Sequence, residues 1–310
     1  MNIITLTLNP AFDMHCFAEN FRPYHESIAK ITSVDAGGKG VNISRALTSN
    51  GVDNKAVVVV GDENGTQFCS ALEKEGLCVL PVWTTGRIRE NITLHEKENP
   101  ETRISFDGFS CDSSVLDSAA QKIGEIDENT VIAFTGSICK GVCTNDVLSL
   151  LSSFKDKGAK IIIDSRSVTL PELVKFSPFL VKPNKDEAEG YTDKPINSLQ
   201  DAAEVANEMR KSGIENVMLT LGGDGAILAC ESGTYYAKTP KIEAVSTIGA
   251  GDSTIAGFIA AIAQGKDCES TLLQAAAYGT AACLLEGTRP PLAADIQKIK
   301  DMTEIKKLSV

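Results

Sequence analysis

The strongest constraint on this chain is a rhythm, in which short runs rich in Val, Ile and Leu alternate with longer stretches of helical periodicity. Strands are expected at "IITLTL" (3–8), "KAVVVVG" (55–61), "TVIAFTG" (130–136), "AKIIID" (159–164), "PFLVKPN" (178–184) and "NVMLTLG" (216–222). Amphipathic helices are expected between them, as over 64–75, 144–157 and 199–212, each stopping near a glycine (Gly76, Gly158, Gly213). Runs that are apolar on both faces cannot turn either face to water. They therefore predict an α/β fold with a mainly parallel sheet and helices on both sides. Ligands of such sheets sit beyond the carboxyl ends of the strands.

Two regions break the rhythm. Residues 11–35 and 87–107 alternate polar with apolar side chains and include the hairpin-like "KENPET", which predicts antiparallel strands with one solvated face. A small sheet of that kind near the ligand end would act as a lid. Between about 220 and 240, two further hairpin strands are expected, joined at Glu231-Ser232-Gly233, and the last quarter reads as helix from Asp252 to about Glu286 and again from about Ala293. No internal repeat, low-complexity tract or Pro/Ser-rich linker interrupts the chain, so residues 1–310 are expected to form a single domain with lid strands inserted at about 11–35 and 87–107.

Composition excludes several classes. No apolar run is long enough to span a bilayer, and the start "MNIITLTLNPAFD" has neither a basic n-region nor a cleavage site, so a cytoplasmic protein without a membrane partner is expected. The balance of 30 basic against 41 acidic residues, net −11, argues against nucleic acid as a partner. A small anion would then need a local cluster of Arg, Lys and backbone N–H groups. Nine cysteines without a C-x-x-C pair predict free thiols, and three histidines (15, 25 and 95) without ligand spacing predict no zinc site.

The glycine-rich stretches are tested as nucleotide motifs. "DAGGKGVN" is not a P-loop, because Ser33 stands where the first glycine belongs and Val41 where the hydroxyl belongs. "GAGDST" has Thr254 where a dinucleotide fingerprint needs its third glycine, so a Rossmann dehydrogenase fits poorly. Both stretches nonetheless open helices, whose free N–H groups suit an anion. "GAGD" adds a carboxylate, Asp252. An acid beside an anion hole repels the anion unless it removes a proton from an attacking hydroxyl, which is what phosphoryl transfer requires. Taken alone, Asp252 equally suits a helix N-terminus, and Gly249 and Gly251 a tight turn.

Five motifs occur in order: "TLNPAFD" (7–13), "GGKGVNISRAL" (37–47), "VKPNKDE" (181–187), "LTLGGDGA" (219–226) and "STIGAGDSTIAGF" (246–258). Together they resemble the ribokinase-like sugar kinases of the PfkB family, within it the hexose-phosphate branch of 1-phosphofructokinases and tagatose-6-phosphate kinases, and the resemblance covers essentially the whole chain. It implies a three-layer α/β/α sandwich with a small β-sheet lid, and an ATP-dependent, Mg²⁺-requiring kinase of a ketohexose phosphate, with fructose 1-phosphate preferred. Tagatose 6-phosphate and fructose 6-phosphate are alternative substrates, and a non-catalytic sugar-phosphate sensor is the alternative of another class. A homodimer pairing lid to lid is also implied.

The resemblance assigns roles residue by residue. Asp252 matches the catalytic base, and Gly249, Ala250 and Gly251 match the anion hole. Asp13, Gly37, Gly38, Asn42 and Ser137 match sugar contacts. Lys39, Arg89 and Arg103 match cations for the sugar's phosphate, with Arg87 as an alternative to Arg89; an arginine fork can bond phosphate oxygens bidentately. Lys182, Asn184, Thr220, Gly222 and Gly225 match nucleotide contacts, and Glu187 with Asn184 matches an N-x-x-E motif that holds magnesium through water. One loop departs from the family: "TGSICKG" stands where "GSLPPG" is common, so Cys139 and Lys140 replace two prolines and the loop loses rigidity.

Overall fold

Strand β1 (Asn2–Thr7) sets the pattern of the main sheet, since Ile4 and Leu6 point into one core and Ile3 into another. A computed structural model describes residues 1–97 and 101–310. After β1 the chain forms β2 (Ala11–Phe17), β3 (Lys30–Gly37), α1 (Lys39–Ser49), β4 (Lys55–Gly61), α2 (Gly65–Lys74), β5 (Val79–Thr84), β6 (Arg89–His95) and β7 (Thr102–Ser105). The middle comprises α3 (Ser114–Ile123), β8 (Thr130–Thr135), α4 (Thr144–Lys155), β9 (Lys160–Asp164), α5 (Leu170–Phe176), β10 (Leu180–Val181), α6 (Lys185–Thr192), α7 (Leu199–Lys211) and β11 (Asn216–Thr220). Strands β12 (Ala226–Cys230) and β13 (Gly233–Lys238) follow, then α8 (Ala250–Ala263), α9 (Cys268–Ala282), α10 (Ala293–Met302) and β14 (Glu304–Leu308).

The main sheet has the order β14-β13-β12-β11-β10-β9-β8-β1-β4-β5. Pairing is parallel from β5 through β11 and antiparallel at the β11–β14 end. Alternation divides each central strand between two cores: Ile161, Ile163, Ile132 and Phe134 face α2, α3, α4 and α7, whereas Ile162, Val131 and Ala133 face α1, α8, α9 and α10. The expected three-layer architecture is therefore present, and the connections after β1, β8, β9, β10 and β11 emerge along one edge.

The second sheet has the order β3-β2-β6-β7. Its strands occupy the two regions expected to break the rhythm, although β2 pairs parallel with β6 and only β2–β3 and β6–β7 are antiparallel. Part of "KENPET" lies outside the described residues. Register places Asp13 opposite both Asp35 and Asn91, and Arg103 opposite Thr93, so these polar groups share one face. Met14, Val34, Ile92, Leu94 and Ile104 fall on the other, where Val34 and Ile104 are 47% and 45% exposed.

Two expectations are corrected. The helix expected from Asp252 to about Glu286 is two, broken at Gly265 (φ 69°) with Asp267 capping the second through Ser270 N–H. The region after Ala293 ends as strand β14, held against β13. Strand β5 also exists despite Pro81, because it is the sheet's edge and pairs on one side only. Among the described residues no helix is long and apolar enough to cross a membrane. Helices α8 and α9 approach through Gly257, where an added Cβ would stand 2.8 Å from the Tyr278 side chain and 2.9 Å from the Ala275 backbone. Gly257→Ala is expected to destabilise the protein by about 1–3 kcal/mol despite alanine's better helix propensity, read as a lower urea midpoint at unchanged m-value.

Candidate active site

Helix α8 begins at the "GAGD" turn. Gly249 caps it at φ 77°, ψ −3°, a left-handed conformation open to glycine, and so the chain can enter the helix abruptly. The Ala250 N–H makes only a long bond of 3.4 Å to the Thr247 carbonyl, and Gly251 and Asp252 follow in the first turn, where backbone N–H groups have no intrahelical acceptor. An added Cβ on Gly251 would lie 3.1 Å from Lys182 Nζ, so a buried ammonium stands directly over the turn. The arrangement offers an anion both N–H dipoles and a fixed positive charge.

Asp252 is 6% exposed. Its Oδ2 accepts a hydrogen bond of 2.8 Å from Asn42 Nδ2. The Asn42 amide is oriented in turn by Arg45, which donates to Asn42 Oδ1 at 3.0 Å and to the Ala36 carbonyl at 2.6 Å while pairing with Glu75 at 2.5 Å. Burial pushes the Asp252 carboxyl up to about 6, against the Asn42 hydrogen bond and the charges of Lys39 and Lys182. A carboxylate near that value can accept a proton at neutral pH and is a stronger base than an exposed aspartate.

A second buried acid completes the cluster. Asp164, at the carboxyl end of β9, accepts from Lys39 Nζ at 2.9 Å and stands 3.8 Å from Lys182 Nζ. Burial would pull the Lys39 ammonium down, but Asp164 and then Asp252 outweigh it and raise its pKa above the ordinary lysine value. Sequence reasoning gave Asp164 no role. Its signal was the position itself, a carboxylate ending a strand buried on both faces.

Beyond Lys182, Asn184 and Glu187 form a reciprocal cap on α6: the Glu187 N–H donates to Asn184 Oδ1 at 2.8 Å, and the Asn184 N–H donates to Glu187 Oε2 at 3.0 Å. Arg166 Nε donates to the other Glu187 oxygen at 2.9 Å. Thr220 bridges to Asn184 across the strand ends, and its N–H donates to the Pro183 carbonyl at 3.0 Å. Gly222, in the left-handed region at φ 58°, has open space where a side chain would stand. At Gly225 a Cβ would come 1.9 Å from the Ala237 carbonyl oxygen, a reason for glycine that lies in the hairpin itself.

The lid roofs a cleft of about 180 Å³ lined by Asp13, His15, Asp35, Asn91, Arg103 and Thr288, among others. Thr288 packs on Gly249, so the cleft abuts the turn. Asp13 Oδ1 accepts from Asn91 at 2.8 Å, and an added Cβ on Gly37 would lie 2.7 Å from Asp13 Oδ2. Gly38 (φ 135°) caps α1, and Ser137 Oγ accepts from Asn9 Nδ2 at 3.0 Å. Of the three cations expected to converge, only Arg103 lines this cleft. Arg89 packs beneath Gly108 with its buried Nε unpartnered among the described residues, while Lys39 is turned to Asp164. Arg87, the alternative to Arg89, is exposed and paired with Glu90 and does not line this cleft. His15 and Asn91 were missed, although period two from Asp13 along β2 points at His15.

A family model described as "pfkB family carbohydrate kinase" matches residues 10–295. The chain belongs to this family. The kinase is 30% identical to the 1-phosphofructokinase of Escherichia coli strain K12 over 96% of its own length and 97% of the relative's. It is 28% identical to the 1-phosphofructokinase of Bacillus subtilis strain 168, covering 92% and 93%. The crystal structure of phosphofructokinase-2 from Escherichia coli in complex with fructose-6-phosphate superposes with a TM-score of 0.89 at 25% identity, over 97% and 98% of the two chains.

Whether these residues suit a divalent ion is decided by what they already bond. Asp164 is held by ammonium groups and both Glu187 oxygens are engaged, and among the described residues no cluster of three acidic, His or Cys side chains could form a cage. Such a set fits a hydrated Mg²⁺ carried on phosphates, which needs few protein ligands. The pH dependence of the kinase tests the Asp252 environment. Turnover is expected to fall as pH drops through about 6, where the buried base is protonated. Asn42→Ala removes a bond that favours the charged form, so the acid limb of the kcat profile moves to higher pH; an unmoved limb counts against this reading.

Proposed function

We propose that the kinase transfers the γ-phosphoryl group of ATP to the free primary hydroxyl of fructose 1-phosphate, giving fructose 1,6-bisphosphate. The observation that carries the proposal is Asp252, a buried carboxylate with one oxygen committed to Asn42, placed at a helix N-terminus beside the lid cleft. The names of the curated relatives support the choice of sugar, as does the pairing of an acid for hydroxyls, Asp13, with a cation, Arg103, in one cleft. Among the described residues Arg103 has a 3.4 Å ion pair with Glu101 to exchange for a phosphate.

In this reading, the sugar hydroxyl gives its proton to the Asp252 oxygen that Asn42 leaves open. The N–H groups of Gly251 and Asp252, with Lys182 above them, face the charge that builds on the transferred group. Lys39, tied to Asp164 and raised by Asp252, spans the base and the nucleotide side. Glu187 and Asp164 would reach Mg²⁺ through its waters, and the ion supplies neutralisation of phosphate charge when bound. Thr220, Gly222 and Gly225 line the approach of the nucleotide, and Arg89 offers its unpartnered Nε to the sugar's phosphate.

Residues 1–310 work as one unit in this proposal, with the lid closing over the sugar. Nine unbridged cysteines suit a reducing, cytoplasmic setting. Two lids pair through their outer faces, where Ile31, Val34, Ile104 and Phe106 are 55%, 47%, 45% and 51% exposed. Val34→Lys with Ile104→Glu should convert a dimer to a monomer in sedimentation velocity; a wild-type monomer would sink that part.

Coupled ADP release with Mg-ATP across fructose 1-phosphate, tagatose 6-phosphate, fructose 6-phosphate and fructose tests the sugar, and preference for unphosphorylated fructose would overturn it. Arg103→Ala should raise KM for the sugar phosphate far more than for ATP. Asp252→Asn should lower kcat by about 10²–10⁴-fold while leaving ATP binding intact. Burial holds the folded-state pKa of Asp252 above the ordinary aspartate value, so its charge opposes folding once pH has risen through that window to about 6. Asp252→Asn is therefore expected to leave the thermal midpoint at neutral pH unchanged or higher, which separates lost chemistry from lost structure.

A further inference from the structure

Cys111 and Cys139 meet across two loops. Cys111 ends the segment that returns from the lid, Cys139 lies in the loop after β8, and their sulfurs are 2.7 Å apart. The backbone holds them there. The Cys111 N–H donates to the Lys140 carbonyl at 2.9 Å, Ser110 Oγ donates to the same carbonyl at 3.1 Å, and residues 110 and 140 form a parallel bridge. The two segments touch so closely that a Cβ on Gly141 would stand 2.3 Å from the Cys111 carbonyl oxygen. A disulfide bond of about 2.0 Å thus requires a small side-chain rotation and no new docking of the chain.

The two thiols differ in the way an exchange reaction needs. Cys111 is half-buried and reachable, whereas Cys139 is 2% exposed. The hydrogen bond from Cys139 pulls the Cys111 thiol below the usual range, while that same contact and burial push Cys139 up. Cys111 is therefore the attacking sulfur and Cys139 the resolving one.

We infer that Cys111 and Cys139 form a reversible oxidation site, which a low-molecular-weight disulfide converts to an intramolecular disulfide that clamps the lid's return segment to the sugar loop. The Cys111 thiolate attacks one sulfur of the oxidant, forming a mixed disulfide and releasing one thiolate. The Cys139 thiol then loses its proton and attacks the Cys111 sulfur, and the second thiolate leaves and takes up that proton. Two protein thiols are oxidised by two electrons, and one small disulfide is reduced to two thiols. Ser137 lies two residues before Cys139, and Phe109, two residues before Cys111, bonds through its N–H to the Arg87 carbonyl at the foot of β6. The bridge consequently ties the base of the lid to the loop that carries Ser137 and restrains closure over the cleft.

Bridge formation is independent of the proposed sugar, whereas its effect on turnover rests on that reading, so mass is read before activity. The full-length reduced protein is incubated with oxidised glutathione, digested without reductant and analysed by mass spectrometry, with coupled ADP release in parallel. The expected result is a peptide joining Cys111 to Cys139, with a several-fold rise in KM for the sugar phosphate, both reversed by dithiothreitol. Cys111→Ser and Cys139→Ser should each abolish the linkage and the rise, and Cys111→Ser should keep the turnover of the reduced enzyme. Glutathionylation confined to the exposed Cys78 and Cys143, or a linkage through Cys143, overturns the site. A bridge that forms without changing KM overturns the clamp. Silence on every sugar phosphate condemns the proposed function, while the linked peptide still decides the oxidation site.

Discussion

Parallel pairing of β1, β4 and β8 through β11 is the constraint on which the rest of the structure depends. Parallel strands cannot be joined by tight hairpins, so each connection crosses one face as a helix. The carboxyl ends of β1, β8, β9, β10 and β11 then lie along one edge, carrying Asn9, Ser137, Asp164, Lys182 and Thr220 into one neighbourhood. These residues are spread over more than two hundred positions of sequence, and no local motif unites them. Helix α8 completes the edge from the opposite layer, because its apolar body packs against α1 and α9 and its first turn has nowhere to go but the strand ends.

Burying two carboxylates, Asp164 and Asp252, at such an edge beside the partly buried Glu187 is unfavourable unless each is paired. Asp164 is neutralised by Lys39 and Lys182, and Glu187 by Arg166 and a backbone N–H. Asp252 differs. It receives one neutral amide bond, and the lysines reach it through charge alone. The cluster thereby leaves one acid under-solvated among others that are satisfied, which is the environment the proposed base requires. Arg45 and Glu75 belong to the same argument although neither touches Asp252. A bidentate arginine fixes the Asn42 carbonyl oxygen, and the amide's nitrogen can then point only at the acid.

Much of this was legible in sequence because it depends on local pattern. The β-branched runs, the glycine stops and the two alternating regions placed the central strands, several helices and the lid, and "GAGD" marked the turn. What stayed hidden depends on contact. "EIKKL" is a strand because β13 offers an edge to it, and "VLPVWT" tolerates Pro81 because β5 is an edge. The motif N-x-x-E reads equally as a metal ligand pair and as a helix cap, and the structure shows the cap. Lys39 was grouped with Arg89 and Arg103 by the family resemblance, since sequence shows charge but not direction. In the structure Lys39 is turned to Asp164, to which it is bonded, and does not line the lid cleft.

That turn changes how the charge of the site should be understood. A lysine beside Arg103 would add only affinity for a substrate phosphate, the same in the ground state and the transition state, and would lower KM without helping the chemical step. A lysine bonded to Asp164 and acting on Asp252 through its charge would, in the proposed reaction, lie where charge moves during transfer. Held by a carboxylate that is itself buried, it need not reorganise as the reaction proceeds, and preorganised charge of this kind is where electrostatic catalysis gains most. In the proposed reaction, recognition of the sugar phosphate would then fall to the lid, whose period-two alternation puts Asp13 and Arg103 on the inner face and Val34 and Ile104 on the outer. The same alternation that gives the lid a polar inner face leaves its back apolar, so the proposed substrate selection and the proposed pairing with a second lid would use opposite faces of one four-stranded sheet.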